Sequence, residues 1–380
     1  MKIIITISRI ALALFLLLSA CDKGVEPEPE PGMVGTANDS DPGTPKKINI
    51  YPIPVPDNET HISFGLVADT HIDASYAGWS PDWMFRDTPR VINNRSAITY
   101  LNYATYHAGC LGIVHLGDMT DACHVQNLVA FRQHWENDYP GSNGGAIAGA
   151  PDKDYHAYDQ GYRINKPVFP GLGNHGDYNK VISYIADRVI DAPGLIAHYE
   201  STSYIWRWGK YYFIHLGLSA ANHEDQYNMG IHYGKLNWLK NWLAENVGGS
   251  NLGILIFHHY GWDEISTDPR WWTQEMRDAE LNVLCRRDST NQVAKPYNVL
   301  AIFTGHKHNC PIIQVFAGLD SLGNRVYFDN LVMRAVIPSN DDGGYGWAIV
   351  RLSADSLNIR YHEIHHPHDE YWGKRIHVGH

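Results

Sequence analysis

Five apolar runs in this 380-residue chain each lead into a short cluster of Asp, Asn or His, and that pairing constrains the fold more than any other feature. Ile62 to Ala68 runs into Asp69-Thr70-His71, Leu111 to Leu116 into Gly117-Asp118, and Val168 to Leu172 into Gly173-Asn174-His175. Leu252 to Phe257 runs into His258-His259, and Val299 to Phe303 leads to Gly305-His306-Lys307-His308. Such runs read as buried strands, and helical patterns separate them. Thr88-Pro89 supplies an N-cap and an N1 proline for a helix to about His107. Leu128, Phe131 and Trp135 mark an amphipathic stretch, and Leu236, Leu239 and Leu243 a helix face. Tyr178 to Ile190 and Met276 to Cys285 are further helices. Ser203 to Trp208 and Tyr211 to Leu216, joined by Gly209-Lys210, predict a hairpin. Segments near Ile312, Val326 to Val336, Trp347 to Leu352 and Leu357 to Ile364 read as β. Strands alternating with helices argue for an α/β architecture, in which ligand sites gather at the carboxyl ends of the strands. Five polar clusters at that edge can converge on one cavity.

Composition narrows the chemistry. With 44% hydrophobic and 19% charged residues the chain can bury a sizeable core. A net charge of −11 excludes electrostatic capture of nucleic acid through a basic face, which would need cations to release counterions. The 22 histidines are the outlier, and histidine is the commonest metal ligand.

The first residues stand apart. Lys2 and Arg9 precede an apolar run from Ile10 to Ala20, shorter than the roughly 20 residues a spanning helix needs, so residues 1–20 read as a secretory signal. Leu18-Ser19-Ala20-Cys21 resembles a bacterial lipobox, which predicts a lipid-modified Cys21, a membrane anchor and a place in the bacterial cell envelope, on its periplasmic or surface face. Loss of Lys2 and Arg9 takes the charge to −13. Residues 21–58 read as a linker. Its Pro/Glu-rich part, Asp22 to Pro45, has six acids and one lysine and leaves −8 on residues 46–380. The catalytic body is expected over 59–365, with 366–380 as a C-terminal tail. Cys110, Cys123, Cys285 and Cys310 could form two disulfides or stay free thiols.

Taken in order, the five clusters resemble the signature of the calcineurin-like metallophosphoesterases: DxH, GDxx(D), GNH, a strand-end His and GHxH, here from Asp69 to His308. The resemblance implies a four-layer αββα sandwich of two mixed β-sheets flanked by helices. It implies that Asp69, His71 and His308 bind one metal, that Asp118 bridges both, and that Asn174, His306 and His259 or His258 hold the second. Tyr260 favours His259, as in members reading x-His-Tyr. Carboxylate, carboxamide and imidazole ligands suit two divalent transition-metal ions drawn from Mn, Fe, Zn or Ni, about 3.5–4 Å apart. The implied activity is hydrolysis of phosphomonoesters or phosphodiesters by a metal-bridging hydroxide, with His175 assisting the leaving group. Asp121 stands where the purple phosphatases carry a metal-binding Tyr, and His71 is present, so the chain looks like the non-purple branch. The usual acid directly after His175 is replaced by Gly176-Asp177, which leaves open what orients the imidazole. Trp79, Trp83, Trp262, Trp271, Trp272, Tyr345 and Trp347 are candidate stacking platforms. Arg86, Arg90 and Lys307 are candidate phosphate contacts. The competing function class is a glycan- or lipid-binding surface lipoprotein with a non-catalytic metal site.

Overall fold

The computed structural model describes residues 52–72, 89–121, 164–175, 178–190, 194–221, 230–287, 296–308, 312–320, 322–333, 346–363 and 366–377, with isolated positions 127, 128, 131, 134, 135, 192, 335 and 336. The signal, Cys21 and most of the linker lie outside them, as do Trp79, Trp83, Arg86, Cys123, Cys310, Tyr345 and the Arg90 side chain.

The strand runs read from sequence form β1 (Ile62–Val67), β2 (Ile113–His115) and β3 (Val168–Pro170), with helix α1 (Pro89–His107) between β1 and β2 and α2 (Tyr178–Val189) after β3. Next come β4 (Ala197–Tyr199), β5 (Ser203–Trp208), β6 (Tyr211–His215), α3 (Gly230–Asn246), β7 (Gly253–Phe257), α4 (Gln274–Leu284) and β8 (Val299–Thr304). The chain closes with β9 (Ile312–Leu319), β10 (Arg325–Val332), β11 (Gly346–Leu352), β12 (Ser356–Glu363) and β13 (His366–His377). One correction follows. The segment expected to be a tail contributes β13, which pairs antiparallel with β12 and extends a sheet.

Two mixed sheets result among the described residues, in the orders β13-β12-β11-β1-β2-β3 and β4-β5-β6-β7-β8-β10-β9. In the first, β1, β2 and β3 are parallel. In the second, β6, β7, β8 and β10 are parallel. Alternation along each strand sends side chains to opposite faces. Phe213 and Phe257 meet Phe64 of the other sheet, whereas Ile214 and Ile256 pack toward Leu239 and Leu243 of α3. Helix α2 carries Val181, Tyr184, Ile185 and Val189 on one buried face at 3.6-residue spacing. Helix α4 begins at Thr273, whose hydroxyl accepts from the Met276 N–H at 3.2 Å, a cap worth about 1 kcal/mol. No helix among the described residues is long and apolar enough to cross a membrane.

Cys110 and Cys285 are buried free thiols, pushed up to about 12 and about 11 chiefly by burial, so the two-disulfide alternative fails.

Candidate metal centre

The parallel strands deliver all five polar loops to one edge. Backbone bonds then stitch the first two loops together: Asp69 N–H to Gly117 O at 3.1 Å, His71 N–H to Asp118 O at 3.0 Å, and Ile72 N–H to Met119 O at 3.0 Å. Asp69, His71, Asp118, His306 and His308 all have positive φ, between 39° and 66°. Three other non-glycine residues among those described share that conformation, so the strain concentrates here. Left-handed backbone costs about 1–3 kcal/mol per residue and persists only where the surroundings over-determine it. Gly117, at φ 110°, could carry no side chain, because a Cβ there would lie 2.6 Å from the Leu172 carbonyl oxygen and 2.7 Å from His259 Nδ1.

The side chains make two overlapping groups. In one, His308 Nε2 lies 3.2 Å and His71 Nε2 3.8 Å from Asp69 Oδ1. In the other, His259 Nε2 lies 3.1 Å from Asp118 Oδ2 and 2.9 Å from Asn174 Oδ1, and the His306 ring centroid is 5.1 Å from that of His259. Asp118 Oδ2 is also 3.7 Å from His71 Nε2, so this carboxylate stands between the groups. Its other oxygen accepts from the Asn174 and His175 N–H groups at 2.7 and 2.8 Å, which fixes the third loop on the second.

The electrostatics of the cavity follow from these contacts. Burial opposes ionisation of Asp69 and Asp118, yet the surrounding imidazoles, His308 for Asp69 and His259 for Asp118 foremost, hold both carboxyls well below their usual range. Burial likewise opposes charge on His71, but Asp121, Asp69 and Asp118 outweigh it and raise the imidazole to about 10. His259 is raised the same way by Asp118 against its burial. His306, buried and beside His259, is pushed down to about 3. The carboxylates thus favour positive charge beside them, which divalent ions would supply. Among the described residues, Asp69 Oδ1, His71 Nε2 and His306 Nε2 are buried atoms without a hydrogen bond of good geometry. Oriented donor atoms of this kind are what incoming cations need, and the oxygen and nitrogen set fits transition metals.

Every residue expected at the centre is therefore brought to it: Asp69, His71, Asp118, Asn174, His259, His306 and His308, with His175 at the rim. His258 is not. It points into the helix layer, fully buried, with Nε2 3.4 Å from Glu280 Oε1 of α4 and its ring against Trp272. Asp121 sits behind two imidazoles, Oδ1 lying 3.5 Å from His71 Nδ1 and 3.3 Å from His175 Nδ1. Its carbonyl oxygen is also 3.3 Å from His175 Nδ1, so Asp121 answers what orients His175. Three candidate contacts change character. Lys307 pairs with Glu264, and Trp272 and Trp347 are core residues. Trp271 and Trp262 are partly buried, with the Trp271 ring 5.0 Å from that of His306.

Residues 62–310 match the family model described as calcineurin-like phosphoesterase. Among solved structures, the Plasmodium protein GAP50, the anchor in the inner membrane complex, shares the fold at 14% identity and a TM-score of 0.51, covering 85% of this chain and 90% of its own. A dimetal phosphatase from Danio rerio is also similar at 14% identity and a TM-score of 0.47, covering 84% of this chain and all of its own. No curated protein matches.

Proposed function

Because the chain belongs to the calcineurin-like phosphoesterases and is a metal-dependent phosphoesterase, we propose that it hydrolyses phosphomonoesters or phosphodiesters at the bacterial cell envelope, held there by a lipid on Cys21. One observation carries the catalytic part: five loops place a complete carboxylate, carboxamide and imidazole set in two groups that share Asp118. Asp69, His71 and His308 would hold one divalent ion, Asn174, His259 and His306 the other, and Asp118 both. Two such ions would supply charge for the phosphoryl oxygens and would make an attacking water more acidic.

The remaining steps belong to the protein. Asp121 accepts the Nδ1 proton of His175, which leaves Nε2 aimed inward, 4.0 Å from Asp118 Oδ2. The His175 side chain is 42% exposed, so a bound ester can reach it. Burial disfavours its charge, but Asp121 and Asp118 raise its affinity for a proton above the ordinary imidazole value. In this reading the protonated His175 delivers its proton from Nε2 to the departing oxygen. The buried floor, with Asp69, Asp118 and His259 all inaccessible, keeps bulk water from competing for those groups. The lipobox and the acidic linker support the envelope location.

The test strips the full-length chain of metal and assays phosphomonoesters, phosphodiesters and sphingomyelin-type lipids before and after adding Mn, Ni, Fe or Zn. Hydrolysis should vanish on stripping and return with metal. Undiminished hydrolysis in chelator would overturn the proposal. A mature N-terminus that is unmodified and lies beyond residue 21, read by mass spectrometry, would remove the anchor without touching the chemistry.

A further inference from the structure

We propose that His115 is a positioning residue for this centre: fixed as the neutral Nε2–H tautomer, it ties the loop carrying Asp118 to the loop carrying Asp69 and His71. The inference rests on reading the cluster as a metal site. His115 closes β2, is fully buried, and sits edge-on to Phe131 and Trp135 with ring centroids 5.4 and 6.0 Å away.

Each donor in its network is fixed by chemistry. The Gly117 N–H can only donate, and it lies 3.2 Å from His115 Nδ1, so that nitrogen holds a lone pair. The ring proton is then on Nε2, 3.0 Å from Thr70 Oγ1. Thr70 gives its own hydroxyl proton to the Met119 carbonyl at 2.8 Å, so its oxygen accepts from Nε2–H. One arrangement satisfies all three bonds, and it requires a neutral ring. Burial favours the same state, pushing His115 down to about 3. The network is backed on both sides. The His115 carbonyl meets His215 Nε2 at 3.1 Å, while the Thr70 carbonyl accepts from Asn94 Nδ2 at 3.0 Å and Asn94 Oδ1 from Trp135 Nε1 at 3.1 Å.

Position gives the network its consequence. Thr70 lies between Asp69 at φ 54° and His71 at φ 39°, and Gly117 precedes Asp118 at φ 53°. Those left-handed residues relax toward ordinary backbone unless neighbouring bonds hold them. Besides the backbone bonds that Asp69 and His71 make themselves, the Gly117 N–H, the Thr70 hydroxyl and the Met119 carbonyl tie the residues next to them, and His115 joins the first to the second.

The bonds can be removed separately. His115→Gln keeps a donor for Thr70 and loses the acceptor for Gly117. His115→Asn keeps the acceptor and loses the reach to Thr70. Thr70→Val removes the hydroxyl alone. In the full-length, metal-stripped chain each variant should bind Mn²⁺ about 10- to 100-fold more weakly by calorimetry, the scale of residues that orient metal ligands. After reloading, kcat should fall more than KM rises. The Thr70→Val/His115→Gln double variant should bind about as weakly as the worse single one, because both break one network. Imidazole ¹⁵N shifts of wild-type protein give a readout that needs no variant: Nε2 protonated and Nδ1 bare at His115 between pH 5 and 8. A charged ring, an Nδ1–H tautomer, additive losses or variants that bind Mn²⁺ like wild type would each overturn the proposal. A wild-type chain that takes up no Mn²⁺ would instead overturn the metal-site reading on which it rests.

Discussion

The space between the two sheets and the edge where their strands end are built on opposite rules. Between the sheets, Phe64 meets Trp208, Phe213, Phe257 and Phe303 with ring centroids 5.3 to 6.5 Å apart, and Phe169 stacks on Trp206 at 4.3 Å. These residues sit on regular strands and gain by burial, each about 1.5–3 kcal/mol. At the strand ends, within a few residues of those same strands, the backbone is left-handed at five positions and buried polar atoms stand without hydrogen bonds of good geometry. The contrast separates stability from function. Apolar packing holds the molecule together, and part of that stability offsets the cost of a preorganised charged site.

Substitutions in the two regions should therefore fail in different ways. Asp118→Ala should have the largest effect of all, abolishing hydrolysis, loosening both ions and lowering the melting temperature of the metal-free protein, because the Asn174 and His175 N–H groups and the His259 imidazole lose their buried acceptor. Elemental analysis and thermal unfolding check both halves. His175→Ala should keep both metals and lose about 10²- to 10⁴-fold on alkyl phosphates, with a distinctly smaller loss on p-nitrophenyl esters, whose leaving group needs no proton. Equal losses on both substrates, or half the metal, would make His175 a ligand or a positioning group. Phe64→Ala should cost about 3–5 kcal/mol in denaturant unfolding with the rate per folded molecule preserved.

The two adjacent histidines sharpen the comparison further, since one faces each region. Glu280→Leu leaves the buried His258 without its polar neighbour and should destabilise the fold by about 1–3 kcal/mol. His258→Leu/Glu280→Leu should recover most of that and keep full metal content, whereas His259→Leu should lose metal. A further effect appears in acid. His115 and His215, pushed down by burial to about 3 and about 4, bind their protons mainly in the unfolded chain, where the ordinary value is 6.5. Between pH 6.5 and about 4 the unfolded state therefore binds more protons, and stability falls as pH falls. Each histidine should contribute up to tenfold per pH unit in the folding equilibrium. His215→Gln should flatten the acid limb of a pH-dependent urea titration, and an unchanged limb would mean the ring is charged in the native state.

The sequence made the strand-end loops legible because each follows an apolar run long enough to be a buried strand, so Asp69, Asp118, Asn174 and His306 announced their own positions. Other features left weaker marks. His258 and His259 could not be separated by composition, since both follow β7 directly and only the fold shows that one meets Glu280 of α4 and the other Asp118. β4 is a three-residue edge strand with an exposed His198 between two half-buried residues, too short to show an apolar pattern. β13, rich in His, Asp, Glu and Lys, reads as solvated chain and becomes a strand only because β12 offers it an edge. Thr70 and His115 were hidden for a different reason. Their bonds span 45 residues, and the one available hint was a histidine inside the apolar run ending at Leu116. Asp121, three residues after Asp118, was visible but its role needed the fold to bring His71 and His175 to the same carboxylate.

The central claim is that the strand-end cluster is a two-ion centre organised by Asp118, and it is tested most directly by titrating the metal-stripped, full-length chain with Mn²⁺ while counting ions by elemental analysis. Wild type should saturate at two ions per chain, Asp118→Ala should lose both sites, and His258→Leu should keep two. A single site in wild type, or two sites that survive Asp118→Ala unchanged, would contradict the account.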